Sequence, residues 1–276
     1  MNEDKYIEKI DFSQILRDRF PKTKFPEFVI RFLKKIFHEN DLNDLFASMP
    51  GVKNIAFLDG CMKYFDIACS VVGLENLPKD SKPCIFVSNH PLGALDAVSI
   101  GSILGNEYNG KIKFYANELL TILEPLKELF LPIYKYGDQS RESVNDVRNF
   151  FESDNQLIIF PAGATSRIYG NKIIDLKWHK NCVHKAVQNH RDIVPMFFVA
   201  RNSKFFYRLE KLRMFFKMKV NVEMLFLVDE IFKQKGHHFT LHIGKPIPWQ
   251  TFDKSKTLTE WAQWLKRTSY KLTENI

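Results

Sequence analysis

The sequence predicts an α/β fold, a mostly parallel sheet with flanking helices, preceded by a helical N-terminal region. From Pro83 onward, short β-rich runs alternate with segments of helical character, the pattern of strands joined by crossover helices. Before that point Phe25, Phe28, Val29, Phe32, Leu33, Ile36 and Phe37 recur on one helical face, beside Lys22, Lys24, Arg31, Lys34 and Lys35. No low-complexity segment, long linker or internal repeat interrupts the chain. The expected division is therefore residues 1–75 as the helical region and 76–276 as the α/β domain.

In order along that domain, CIFVS (84–88) is a strand, 96–104 a helix, KIKFYA (111–116) a strand and 118–130 helical. A helix near 140–153 precedes the strand QLIIF (156–160), and another near 176–189 precedes IVPMFFVA (193–200). A basic helix near 203–217 follows, then the β-rich runs NVEMLFLV (221–228) and FTLHIG (239–244), and a closing helix near 257–272. In open α/β sheets, chemistry gathers in the loops beyond the carboxyl ends of strands. The loops to search are those after Ser88, Ala116, Phe160 and Ala200.

Of 276 residues, 45% are apolar, enough for a substantial core. A formal charge of +8 and an isoelectric point near 9.1 favour anionic partners. No recognition helix, zinc finger or RNA-binding sheet motif accompanies the charge, so an anionic membrane surface is expected rather than nucleic acid. The N-terminus MNEDKYIEKIDF lacks the apolar stretch of a signal peptide, and no apolar run approaches the roughly 18 residues of a span. The expectation is a cytoplasmic protein, peripheral on the inner face of the membrane. It would use the basic, Phe-rich helical patterns near 22–37 and 203–217. In the second, Phe205, Phe206, Leu209, Leu212, Phe215 and Phe216 recur among Lys204, Arg208, Lys211, Arg213 and Lys217. That stripe suits coverage of the sheet equally well.

Four cysteines form no CxxC pair, and His237, His238 and His242 lack thiol or carboxylate partners in their strand, so no metal is expected. Neither a phosphate-binding glycine loop nor a dinucleotide fingerprint is present, and no cofactor is expected. A GxSxG elbow is also missing, so a covalent serine intermediate is not indicated.

The strongest chemical signal is Ser88-Asn89-His90-Pro91-Leu92-Gly93-Ala94-Leu95-Asp96, directly after an apolar strand. Pro91 and Gly93 force a turn, and Asp96 falls where the next helix begins, favoured there by the helix dipole. Such a turn can return Asp96 to His90. A carboxylate that accepts from one imidazole nitrogen fixes the tautomer and leaves the other free to take a proton from a substrate hydroxyl. The same pair could instead be a buried histidine satisfied by a neighbour. The second signal is Phe160-Pro161-Ala162-Gly163-Ala164-Thr165-Ser166-Arg167 after a buried run, where backbone N–H groups, Ser166 and Arg167 could hold an anion.

In order and spacing over roughly residues 80–250, the His–Asp turn, the Ala116-Asn117 segment and the Phe-Pro-x-Gly loop resemble the glycerolipid acyltransferases, the lysophosphatidic acid acyltransferase superfamily. HPLGALD and FPAG followed by Ser-Arg are most similar to the branch of hemolysin-like proteins and O-acyltransferases of ornithine and glycine lipid synthesis. The resemblance implies a parallel-rich α/β fold and transfer of an acyl chain from an acyl carrier protein or coenzyme A thioester to a lysolipid hydroxyl. It makes His90 the general base and Asp96 its orienter. It further implies substrate-binding roles for Asn89, Gly93, Asn117, Pro161, Gly163, Ser166 and Arg167, and places Pro195 in the fourth motif. Two departures stand out: five residues separate His90 from Asp96 where four are usual, and Ala162 replaces the usual acidic residue. Both point away from lysophosphatidic acid and toward a lyso-amino-acid lipid, whose carboxylate Arg167 would grip. The competing readings are a lysophosphatidic acid acyltransferase, a thioesterase or lipase in which His90 activates water, and a membrane-lytic protein without catalysis.

Overall fold

A computed structural model describes residues 10–79, 82–117, 120–121, 123–133, 141–170, 172–218 and 221–273. The N-terminal residues 1–9, on which the expectation of no signal peptide rested, lie outside these. Helices α1 (Phe12–Arg19), α2 (Glu27–Ile36), α3 (Glu39–Ala47) and α4 (Asn54–Tyr64) open the chain. The apolar face of α2 is wider than its neighbours can cover. Ile36 is buried and Phe37 stacks on Phe12 at 4.5 Å, whereas Phe28 and Phe32 stand 70% and 57% exposed.

The helical reading of 1–75 omitted one element. Strand β1 (Ala68–Val72) lies at a sheet edge, where its residues are alternately exposed and half-buried. An edge position needs no continuous apolar run, so the sequence signal is weak.

Beyond it the order is β2 (Ile85–Ser88), α5 (Leu95–Glu107), β3 (Ile112–Asn117), β4 (Phe130–Ile133), α6 (Arg141–Glu152) and β5 (Gln156–Ile159). A small antiparallel hairpin, β6 (Arg167–Tyr169) and β7 (Lys172–Ile174), precedes α7 (Asn181–Gln188) and β8 (Ile193–Val199). The chain closes with α8 (Lys204–Phe215), α9 (Leu227–Lys233), β9 (His238–Ile243) and α10 (Leu258–Tyr270). Two expectations are corrected. In the segment 118–130, of which 118, 119 and 122 lie outside the described residues, a 3-10 turn over Glu124–Leu129 leads straight into β4. NVEMLFLV is not a strand: Val222–Phe226 form a 3-10 turn that continues into α9, and Glu223 is buried within it.

The seven-stranded sheet has the order β1-β9-β8-β2-β5-β3-β4. Its neighbours run parallel except for β8 and β9. Side chains alternate across the pleat, so β2 feeds two cores. Phe86 faces a layer with Leu58, Ile100 and Leu104 of α4 and α5; Ile85 and Val87 face Trp178, Val183 and Leu265 near α7 and α10. Strand β2 is thereby covered on both faces and paired on both edges, which makes its carboxyl end a rigid platform.

Arg191 fastens the end of α6 to this platform. Its guanidinium donates to the carbonyls of Phe150 (3.2 Å) and Phe151 (3.0 Å) in the last turn of α6 and of Ser153 (2.8 Å) and Asn155 (2.6 Å) just beyond it, where carbonyls draw on donors from outside the helix. Arg191→Ala is expected to lower unfolding free energy by roughly 2–3 kcal/mol in urea titration, because several buried acceptors lose a charged donor at once.

Candidate active site

Ser88 ends β2, and its neighbour Asn89 extends the sheet by side chain rather than backbone. The Asn89 amide donates to Phe198 O (2.9 Å), and its Oδ1 accepts from Phe198 N–H (2.7 Å). The main chain is thereby freed to turn outward at His90. Asn89 holds the turn to β8, and Pro195 of the same strand lies opposite Val87.

The turn closes as the sequence suggested, even with five intervening residues. Gly93 accommodates the extra one at φ +82°, and a Cβ there would come within 2.3 Å of Thr165 Cγ2. Asp96 sits in the first turn of α5, fully buried. Its Oδ2 lies 3.0 Å from His90 Nδ1 and also accepts from the N–H groups of Leu92 (3.0 Å) and Gly93 (3.4 Å), while Oδ1 accepts from Ala97 N–H (2.9 Å). Burial alone would raise the Asp96 pKa, but the His90 charge, its hydrogen bond and the backbone donors outweigh it and hold the carboxyl below its ordinary value. For His90, burial works toward the neutral form; the Asp96 charge and hydrogen bond, aided by Asp175, reverse it and raise the pKa above the ordinary imidazole value.

The second motif meets the first because β5 is the neighbour of β2. Ser166 N–H donates to His90 O at 2.8 Å, and the His90 ring stacks on Phe160 with centroids 4.1 Å apart. Pro161 O accepts from His179 N–H (2.9 Å), and Gly163, at φ +64°, donates to Phe160 O (3.0 Å). Two of the loop's N–H groups, those of Gly163 and Ser166, are therefore engaged in holding the loop itself. Asn117 ends β3, two strands from β2 at the same end of the sheet.

Ser166 and Arg167 differ from the open anion-binding pair anticipated. Ser166 Oγ donates to Asp175 Oδ1 at 2.5 Å. Arg167 is buried, with Nη1 2.7 Å from Glu223 Oε1 and Nε 3.7 Å from Glu210. Arg213 closes on the other side of Glu223 at 2.9 Å. The guanidinium of Arg167 is thus already paired, because two carboxylates, Glu210 and Glu223, are buried beside it and need compensation.

Asp175 was not singled out from sequence. It accepts from His90 N–H (3.2 Å), Ser166 Oγ (2.5 Å) and Trp178 Nε1 (2.8 Å), and its own N–H donates to the Tyr270 hydroxyl (2.8 Å). One buried residue therefore ties both loops to α10, reaching the loops through its carboxylate and the helix through its backbone N–H. Nothing near it in sequence marks this carboxylate, whose partners include the His90 turn and Ser166. No thiol competes as a nucleophile: burial pushes Cys61 and Cys182 up to about 12, and Cys69 and Cys84 to about 11.

Accordingly, what the described residues present is a carboxylate-oriented imidazole. Its Nδ1 is taken by Asp96, and Nε2 has no hydrogen-bond partner among the described residues. The side chain is 16% exposed and so can be reached from solvent.

Comparison with known proteins places the chain in a family. A lyso-glycine lipid O-acyltransferase of Phocaeicola vulgatus is 46% identical over 265 residues, 95% of this chain and 95% of that protein. One from Bacteroides thetaiotaomicron is 44% identical over 265 residues, 95% of this chain and 97% of that protein. The crystal structure of the 1-acyl-sn-glycerophosphate acyltransferase of Thermotoga maritima aligns with a TM-score of 0.46 at 18% identity, covering 95% of this chain and 88% of that one. The acyltransferase family model matches residues 15–276, nearly the whole sheet-and-helix body together with its two facing loops, and the chain belongs to that family of enzymes.

Proposed function

We infer that the chain transfers a fatty acyl group from a phosphopantetheine-type thioester to the hydroxyl of a lyso-amino-acid lipid, with His90 as general base and Asp96 as its orienter. The observation that carries this reading is the 3.0 Å contact between His90 Nδ1 and a fully buried Asp96 at the mouth of a turn. Nε2 takes the proton of the acceptor hydroxyl as its oxygen attacks the thioester carbonyl carbon. The C–S bond then breaks, and the departing thiolate recovers the proton from the imidazolium. Of the loop residues, Pro161, Gly163 and Ser166 shape the acceptor side in this reading, with Gly93 and Asn89 holding the opposing turn and Asn117 flanking it. Arg167 contributes by anchoring the loop through Glu223 rather than by gripping a headgroup.

The carboxyl-bearing acceptor is favoured by the names of the two curated relatives, which are lyso-glycine lipid O-acyltransferases. Residue Ala162, buried in the Phe-Pro-x-Gly loop, agrees with an acceptor other than the usual phosphate. We expect purified enzyme offered lyso-glycine lipid, lyso-ornithine lipid and lysophosphatidic acid at equal concentration to acylate an amino-acid lipid first. Preferential formation of phosphatidic acid would overturn that acceptor.

A membrane surface is the natural source of such an acceptor. No helix among the described residues is long and apolar enough to cross a bilayer. The stripe on α8 divides: Phe206 is fully buried, while Phe215 and Phe216 stand 79% and 62% exposed beside Lys217. Together with Phe28 and Phe32 of α2, these rings support docking on an anionic surface at the inner face of the membrane. Flotation with anionic vesicles should show binding that weakens with salt and with Phe215→Ser/Phe216→Ser. Equal, salt-insensitive binding to neutral vesicles would contradict the electrostatic part.

His90→Ala is expected to lower kcat by roughly 10²–10⁴ with the fold retained. Because the His90 pKa is raised in the folded enzyme, the imidazolium persists above the ordinary value of about 6.5. The base form, and with it kcat/KM, should rise with pH through a limb displaced to the alkaline side. Asp96→Asn removes the charge that raises this pKa but leaves the burial that lowers it, so the surviving activity should show its limb at lower pH. A limb that stays in place would dissociate Asp96 from His90.

A further inference from the structure

Beside the His90 turn lies a concavity of about 700 Å³, bounded by the β6–β7 hairpin, the end of β8, the start of α8 and the start of β9. Arg201, Lys204, Arg208 and Lys211 line it, and no Asp or Glu does so among the described residues. Elsewhere the inward-facing cations are compensated: buried Arg167 and half-buried Arg213 close on Glu223, and buried Arg191 on four carbonyls. Within the same wall, Lys233 is paired with Asp229 (2.6 Å) and Glu230 (2.8 Å). The other four cations have no ion-pair partner among the described residues. Such a concentration of one sign against an apolar sheet end is a site for an anion.

Asn202 connects this cleft to the chemistry. It lines the cavity, is buried, and its Nδ2 donates at 3.2 Å to Pro91 O, the residue after His90. Its Oδ1 has no donor among the described residues.

We propose that this cleft binds the phosphate end of the thioester donor, with Arg201, Lys204, Arg208 and Lys211 around the phosphate and the pantetheine arm passing Asn202 toward the His90 turn. The proposal rests on the thioester-donor reading above and adds where that donor lies. Distance along the substrates distinguishes the donor from the acceptor. In an N-acyl amino acid bearing a hydroxyl near the amide, the carboxylate is only a few bonds from the reacting oxygen, so it must lie close to His90. Pantetheine separates phosphate from sulfur by a long arm with two amides. His90 does not line the cleft, yet Asn202 joins the cleft wall to its turn. The cleft therefore fits an anion bound far from the reacting carbon.

The test uses 4′-phosphopantetheine and pantetheine titrated into the full chain by calorimetry, together with steady-state transfer from acyl-coenzyme A and from acyl carrier protein. Phosphopantetheine should bind about tenfold or more tightly than pantetheine, as charge-assisted contacts to a phosphate allow. Lys204→Gln/Arg208→Gln/Lys211→Gln, all exposed positions, should abolish that difference. The same variant should raise the donor KM by about tenfold with kcat held within about twofold and the acceptor KM unchanged. An equal rise for both donors locates their shared phosphate, and a rise for one alone identifies which donor occupies the cleft. The proposal is overturned if phosphopantetheine binds the variant as it does the parent, if only the acceptor KM rises, or if vesicle binding falls while the donor KM is intact. Absence of transfer from either donor by the parent enzyme would instead sink the donor reading, a result that titration without acceptor keeps separate from failure of the cleft.

Discussion

A fully buried carboxylate is tolerated in a fold only when enough donors replace its water. Asp96 meets that condition with three backbone N–H groups from its own turn and helix and one imidazole. The backbone must bend at Gly93 for Leu92 and Gly93 to aim their N–H groups inward, and α5 must begin where it does for Ala97 to add a third. The need to satisfy this one charge dictates the path of the turn and so the position of His90. Rigidity then follows from β2 beneath it, paired on both edges and covered on both faces.

A second buried carboxylate, Asp175, does for the two loops together what Asp96 does for one. It receives the His90 backbone, the Ser166 hydroxyl and the Trp178 indole, while burial pushes its pKa up against those donors. The consequence is that Ser166 acts as a structural donor and the Phe-Pro-x-Gly loop is tied to the His90 turn at two places: through Asp175, and through the bond from Ser166 N–H to His90 O. Phe160, stacked on the imidazole, limits rotation of the ring about its link to Asp96.

The His90 turn was legible because each part is local: an apolar strand, two residues that break it, and an acidic residue at a helix start. Strands with buried faces on both sides, such as β2, β5 and β8, were legible for the same reason. NVEMLFLV was not, because a short apolar run suits helix and strand alike. What decides it is Glu223, which must turn inward to meet Arg167 and Arg213, residues 56 and 10 positions away. The pairing of Arg167 was not legible for the same reason, since nothing near it in sequence shows that a carboxylate awaits it. Asp175 and β1 likewise depend on partners distant in the chain: His90 and Tyr270 for the first, β9 for the second.

The shared carboxylate of Glu223 has a mechanical meaning. Arg167 begins the hairpin that follows the Phe-Pro-x-Gly loop, Arg213 lies in the last turn of α8, and both close on one side chain carried by the turn before α9. Hairpin, helix and turn are therefore clamped at a single point in a poorly solvated place, where opening either contact would strand a charge. The exposed Phe215 and Phe216 project from the end of that same helix. Those rings therefore stand two and three residues beyond Arg213, so the end of α8 that carries them and the hairpin after the Phe-Pro-x-Gly loop share one anchor.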